Sequence, residues 1–110
     1  MHTFRICATD ERVAPLNPAA LIGQTVTLSC RRQTQSIAWT FTPVNGAGGL
    51  IAVDCQPVAA VIGIYRIDST TDACNLIIDS VTMNLAGRYT CQDMSASDVV
   101  YSSQLIVLGK

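Results

Sequence analysis

Ala86-Gly87-Arg88-Tyr89-Thr90-Cys91 decides how this chain folds. Tyr89 and Cys91 fall on one parity and Arg88 and Thr90 on the other, the two-residue period of a strand with one buried face and one wet face. The same period recurs upstream. In Thr25-Val26-Thr27-Leu28-Ser29-Cys30 the residues Val26, Leu28 and Cys30 share a face. In Ile37-Ala38-Trp39-Thr40-Phe41-Thr42 the inward set is Ile37, Trp39 and Phe41, and Pro43, lacking an N–H, ends the strand. Asn45-Gly46-Ala47-Gly48-Gly49 is a turn or flexible loop. Leu50-Ile51-Ala52-Val53 and Val61 to Ile67 read as strands, the second closed by the polar loop Asp68 to Asp72. Cys74 to Asp79 follows, with Cys74, Leu76 and Ile78 pointing one way, and Val99 to Leu108 finishes the chain after a tight hairpin at Ser95-Ala96-Ser97-Asp98. With the N-terminal segment this makes about eight or nine strands and no helical period longer than a turn. The expectation is an all-β fold and one domain over residues 1–110.

Composition agrees with a filled core: 49% of the 110 residues are apolar and 14% charged. Seven Lys and Arg against eight Asp and Glu leave a net charge of −1, so nothing steers the domain toward nucleic acid or an anionic membrane surface. The longest apolar run, Pro57 to Ile64, is far below the roughly 20 residues that span a bilayer, so no direct membrane insertion is expected. Met1 to Cys7 is too polar for the apolar part of a signal peptide, yet five cysteines in so small a domain point to an oxidising, extracellular compartment. The two agree if Met1 is a start codon placed on an excised ectodomain and Gly109-Lys110 is where a longer protein was cut. None of Asn17, Asn45, Asn75 and Asn84 has Ser or Thr two residues on, so there is no glycosylation sequon.

Cys30 ends a strand that opens Gly23-Gln24, Trp39 lies nine residues on, and Tyr89 stands two before Cys91. By this Cys…Trp…Tyr-x-Cys pattern the chain resembles a variable-type (V-set) immunoglobulin domain over essentially its whole length. Gly23 to Cys30, Leu76 to Val81 and Ala86 to Cys91 are the most family-like stretches, similar to animal cell-surface receptors and secreted immune-type proteins. The cysteine-opened strand Cys74-Asn75-Leu76-Ile77-Ile78 looks more like invertebrate receptors, such as those of lancelets and molluscs, than like antibodies. The resemblance implies a two-sheet antiparallel sandwich in which a Cys30–Cys91 disulfide joins the sheets. It also implies that Trp39 packs on that bridge and that the Tyr89 hydroxyl ties a chain corner to backbone. Closing a loop of about 60 residues contributes roughly 4 kcal/mol.

Two departures matter. The family usually places Asp where this chain has Leu85, so Arg66 must find another acid, such as Asp68 or Asp79, or face water. Val99 to Leu108 lacks the Phe-Gly-x-Gly of antigen-receptor joining segments, which argues against a rearranging antigen receptor. A V-type sandwich brings the regions of Cys55 and Cys74 together at one edge, implying a second bridge worth roughly 3 kcal/mol. Two free buried thiols, or a pairing of either with Cys7, are the alternatives. Cys7 is then the odd cysteine, an intermolecular bridge, a partner beyond this sequence, or an inert thiol under the first strand. With no Cys-x-x-Cys pair and His2 as the one histidine, no metal and no cofactor are expected.

Catalysis needs a nucleophile–base pair or a carboxylate pair in a cleft. A lone terminal histidine cannot supply the first, and Asp10-Glu11, Asp68/Asp72 and Asp93/Asp98 read as solvated loop charges. The chain is therefore read as a binding module and not an enzyme. If Trp39 and Cys91 point inward, Ala38, Thr40, Thr42, Arg88, Thr90, Gln92 and Met94 point outward, with Leu50 and Ile51 beside them. That face is small and nearly uncharged. It is expected to meet a protein partner, another immunoglobulin domain or a second copy in a two-fold homodimer, with Arg88 at the rim. The competing readings are a secreted innate recognition module that binds microbial or glycan ligands through its loops, and a spacer domain.

Overall fold

Where apolar residues recur at every second position the chain is extended and paired with a neighbour. The structure, a computed structural model, describes residues 3–7, 9–10, 19–31, 36–70, 73–95 and 100–109, the first two segments by their backbone. The strands are β1 (Thr3–Cys7), β2 (Thr9–Asp10), β3 (Ala19–Leu21), β4 (Thr25–Ser29), β5 (Ile37–Pro43) and β6 (Gly49–Val53). They continue with β7 (Gln56–Pro57), β8 (Tyr65–Ser69), β9 (Cys74–Ile78), β10 (Gly87–Asp93) and β11 (Val100–Leu108). Single 3-10 turns occupy Ala59–Val61 and Met83–Leu85, and the described residues include no α-helix. The fold is all-β.

The strands form two sheets. The smaller has the order β1-β4-β9-β8 and the larger β2-β11-β10-β5-β6-β7, with β3 also on β11. They are not wholly antiparallel as expected: β1 runs parallel to β4, and β3 parallel to β11. Only strands joined by a tight hairpin must reverse direction. The N-terminal segment instead passes from the edge of the smaller sheet to the edge of the larger, so its direction at each is free.

The inner faces of the two sheets share one core. Val26, Leu28, Leu76 and Ile78 come from the smaller sheet, and Trp39, Ile51, Tyr89 and Leu105 from the larger. Burying each such side chain contributes roughly 1.5–3 kcal/mol. Cys30, just past β4, is bridged to Cys91 of β10, with their Cα atoms 6.3 Å apart, so this disulfide links the two sheets. Cys55 is bridged to Cys74, with Cα atoms 5.8 Å apart. Trp39 lies opposite Cys91 in the β5–β10 register, and its indole N–H donates to the Cys74 carbonyl at 2.9 Å. Trp39 is thus tied to one residue of each bridge, by strand register to Cys91 and by a hydrogen bond to the Cys74 backbone.

Tyr89 is fully buried, stacked on Phe41 with ring centres 4.5 Å apart, and donates its hydroxyl proton to the Leu85 carbonyl at 2.7 Å. Leu85 is buried and supplies that carbonyl. Arg66 finds Asp79: Nε donates to Oδ2 and Nη2 to Oδ1, each at 2.6 Å.

Three local expectations need correction. The strand placed over Val61 to Ile67 begins only at Tyr65, because a 3-10 turn and Gly63, at φ +98, precede it. It then runs on through Asp68 and Ser69, which pair with Asn75 and Cys74, since a waiting partner strand satisfies their backbone whatever their side chains. Asp93 is not a solvated loop charge. It is buried and accepts hydrogen bonds from the Ser95 backbone N–H and hydroxyl, closing the turn after β10. Residues 96–99, most of the expected hairpin, lie outside the described residues.

Candidate partner-binding face

The outer face of the larger sheet is built on β10, with β5 on one side and β11 on the other. Strand register sets its outward positions in rows. Arg88 stands between Thr42 and Gln104, Thr90 between Thr40 and Ser102, and Gln92 between Ala38 and Val100. The alternation that buries Tyr89 and Cys91 leaves Thr90 and Gln92 partly exposed and Arg88 exposed. Met94, just past the strand, is 59% exposed and is fixed by its N–H to the Ser36 carbonyl at 2.8 Å.

Leu50 and Ile51 do not act together. Thr40 pairs with Leu50 and Trp39 with Ala52, so Ile51 is the extra residue of a β-bulge. The bulge turns Ile51 inward, 2% exposed, beside Ala52, and leaves Leu50, 46% exposed, on the outer face next to Thr40. Val53, again exposed, follows on β6. Ile51 is therefore a core residue and not a contact residue. Ala38 has the expected outward phase but is only 8% exposed. Its single methyl projects less than the longer chains around it, so it offers a partner little surface. Thr40 is partly exposed and Thr42 exposed, as the phase requires.

The face extends further than strands β5, β6 and β10. On β11 the inward residues are Ser103, Leu105 and Val107. Of the even positions Ser102, beside Thr90, is fully buried, Val100 and Gln104 are partly exposed, and Ile106 and Leu108 are exposed. Leu21 of β3 lies opposite Leu108 and is exposed too. The alternation of Leu105-Ile106-Val107-Leu108 held this signal, but a run with no polar residue does not say which parity is outward. Among the described outward positions Arg88 carries the one charge.

The outer face of the smaller sheet is different. It carries Asp68 and the Arg66–Asp79 ion pair, which raises the Arg66 pKa and holds the Asp79 carboxyl below its ordinary value. Both side chains are about half exposed, so water screens the pair and it adds little stability. Two shallow grooves flank the Met83–Leu85 turn. One, of about 350 Å³, is lined by Ile64, Asp79, Ser80 and Thr82 among others, and one, of about 310 Å³, by Pro43, Val44 and Met83 among others. Asp79 is the one titratable side chain in either, and Arg66 holds it ionised. Among the described residues no three His, Cys, Asp or Glu side chains gather as a metal site requires. No described helix is long and apolar enough to cross a membrane.

No family model matches this sequence, and no curated protein matches it.

Proposed function

We propose that this chain is a V-set immunoglobulin domain of an extracellular receptor or secreted immune-type protein, a recognition module and not an enzyme. It meets a protein partner, a second copy or a related domain, through the outer face of the larger sheet. The strand order supports the fold part of this reading: β1-β4-β9-β8 against β11-β10-β5-β6-β7 has the four-stranded sheet and the extended sheet of a variable-type sandwich. The bridge Cys30–Cys91 beside Trp39, and the Tyr89 hydroxyl on an upstream carbonyl, are further parts of that pattern. Two disulfides support an oxidising, extracellular setting.

The contrast between the two outer faces carries the functional part. One holds paired and exposed charge. The other is a neutral floor of Thr40, Thr90 and Gln92 with Leu50, Val53 and Met94 exposed around it. Depletion of charge with apolar and Met side chains standing out is the composition of an interface centre. A specific contact there should bury at least about 1,000 Å² in total. In a two-fold dimer the same patch serves both subunits, so Thr40→Glu or Gln92→Glu sets like charges against each other or strands them in a dry contact. Sedimentation at high micromolar concentration should show a wild-type dimer that each substitution dissociates while the circular dichroism is unchanged. A monomeric wild type, or a dimer indifferent to both substitutions, would move the reading to loop recognition or a spacer role.

A further inference from the structure

Asn45 and Gly46 lie in the turn between β5 and β6 and hold the parts of an intramolecular reaction. Both are exposed, and Gly46 has φ +135. Around Gly46 there is room: a Cβ built there would meet only Pro43 Cγ, at 3.5 Å. Among the described turns and loops no backbone–backbone hydrogen bond involves residues 44–48, so no such bond holds the peptide nitrogen of Gly46 away from its neighbour's side chain.

We propose that Asn45 is a site of spontaneous deamidation, converted through a cyclic imide to isoaspartate and aspartate. The deprotonated backbone nitrogen of Gly46 attacks Asn45 Cγ. An N–Cγ bond forms, the Cγ–Nδ2 bond breaks, and ammonia leaves with the proton. Water then opens the five-membered ring at either carbonyl, giving aspartate with the original peptide link or isoaspartate with the chain running through Cβ and Cγ. Nothing is oxidised or reduced.

The other asparagines are poor substrates for the same step. Asn17 precedes Pro18, whose nitrogen has no hydrogen to lose. Asn75 precedes Leu76 in mid-strand, is buried, and has its Oδ1 accepting the Cys30 N–H at 3.2 Å. Asn84 precedes Leu85 inside a 3-10 turn and is hydrogen-bonded to the Thr82 hydroxyl. Only Asn45 combines exposure with a following residue that lacks a side chain. Its conversion adds a carboxylate to the groove of Val44 and Met83, which has no charged lining residue, and the isoaspartyl form lengthens the β5–β6 connection by one backbone carbon.

The test is to hold the folded protein at mildly alkaline pH and body temperature and map its peptides over time. The Asn45 peptide should become about 1 Da heavier. It should split into two species, one labelled by protein isoaspartyl methyltransferase, and form faster as the pH is raised. Conversion at Asn75 and Asn84 should be slower by about tenfold or more. Asn45→Gln should remove the heavier species from this peptide. No mass change at Asn45, equal rates at the three sites, or a product that is aspartate alone, as direct hydrolysis gives, would overturn the proposal.

Discussion

Tyr89 has one hydroxyl proton and gives it to Leu85, so the 3.0 Å contact between Tyr65 and Tyr89 must be Tyr65 donating to Tyr89. The chain Tyr65→Tyr89→Leu85 carbonyl ties β8, β10 and the turn before β10 together in the core, and its polarity makes the two tyrosines unequal. Tyr89→Phe strands both the Leu85 carbonyl and the Tyr65 hydroxyl and should cost about 1–3 kcal/mol. Tyr65→Phe removes only a donor and should cost about 0.5–1.5 kcal/mol. Urea unfolding of the two variants checks the order, and a reversed order would mean that the proton runs the other way. Burial, above all, pushes the pKa of both hydroxyls up from the ordinary value near 10. A group whose folded pKa is raised stabilises fully below its unfolded pKa and loses that contribution as pH rises beyond it. The urea midpoint should therefore fall above about pH 10, and less steeply in either Phe variant. Tyr89 itself was legible two residues before Cys91. That its acceptor would be Leu85 was not, because a backbone carbonyl leaves no mark in the side-chain sequence.

Gly87 shows the same limit for a whole strand. It opens β10 at φ +149, and a Cβ there would fall on the Thr42 carbonyl oxygen and within 2.8 Å of Phe41 Cε1 and Pro43 Cα. The start of β10 can lie this close to the end of β5 only because the residue is glycine. Gly87→Ala should cost about 2–4 kcal/mol by pushing the two strands apart. Gly23→Ala, where φ is +91 but nothing lies within 4 Å of the added carbon, should cost about 1 kcal/mol from backbone strain alone. Comparable melting shifts for the two would mean that the close approach contributes nothing. Strands whose polarity alternates, β4, β5 and β10, were readable because small or polar residues mark one face and large apolar residues the other, even where, as at Thr27 and Ala38, that first face is covered. The run Leu50 to Val53 has no polar residue to mark its faces, so the bulge that separates Leu50 from Ile51 stayed hidden. The parallel pairing of β1 and β3 was equally illegible, since direction at a sheet edge depends on how the chain arrives and not on what the strand contains.

At the scale of the molecule two disulfides and Trp39 form one unit. The neutral row Thr40, Thr90 and Gln92 could be read from strand phase once Trp39 and Cys91 were placed inward, but its extension to Ile106, Leu108 and Leu21 needed the pairing of β3 with β11. The two bridges offer a sharper question about how the sheets are held. Their loops are nested, with the 19-residue separation inside the 61-residue one. Chain entropy alone makes their contributions almost additive, because closing the inner loop merely shortens the outer path to about 42 residues and changes a logarithm by a few tenths of a kcal/mol. Packing predicts otherwise. Trp39 is opposite Cys91 and its indole N–H is bonded to the Cys74 backbone carbonyl, so loosening the backbone at either bridge loosens a ring that the backbone at the other also positions. Replacing Cys30 and Cys91 by Ala should cost roughly 4 kcal/mol, and Cys55 and Cys74 by Ala roughly 3 kcal/mol. All four replacements together should cost less than the sum by more than about 0.5 kcal/mol, the size at which coupling exceeds the scatter of independent sites. Urea unfolding in trimethylamine oxide, which strengthens burial, keeps the weakest variant folded enough to measure. Additivity within that scatter would leave loop entropy as the whole account of the bridges and Trp39 as a bystander between them.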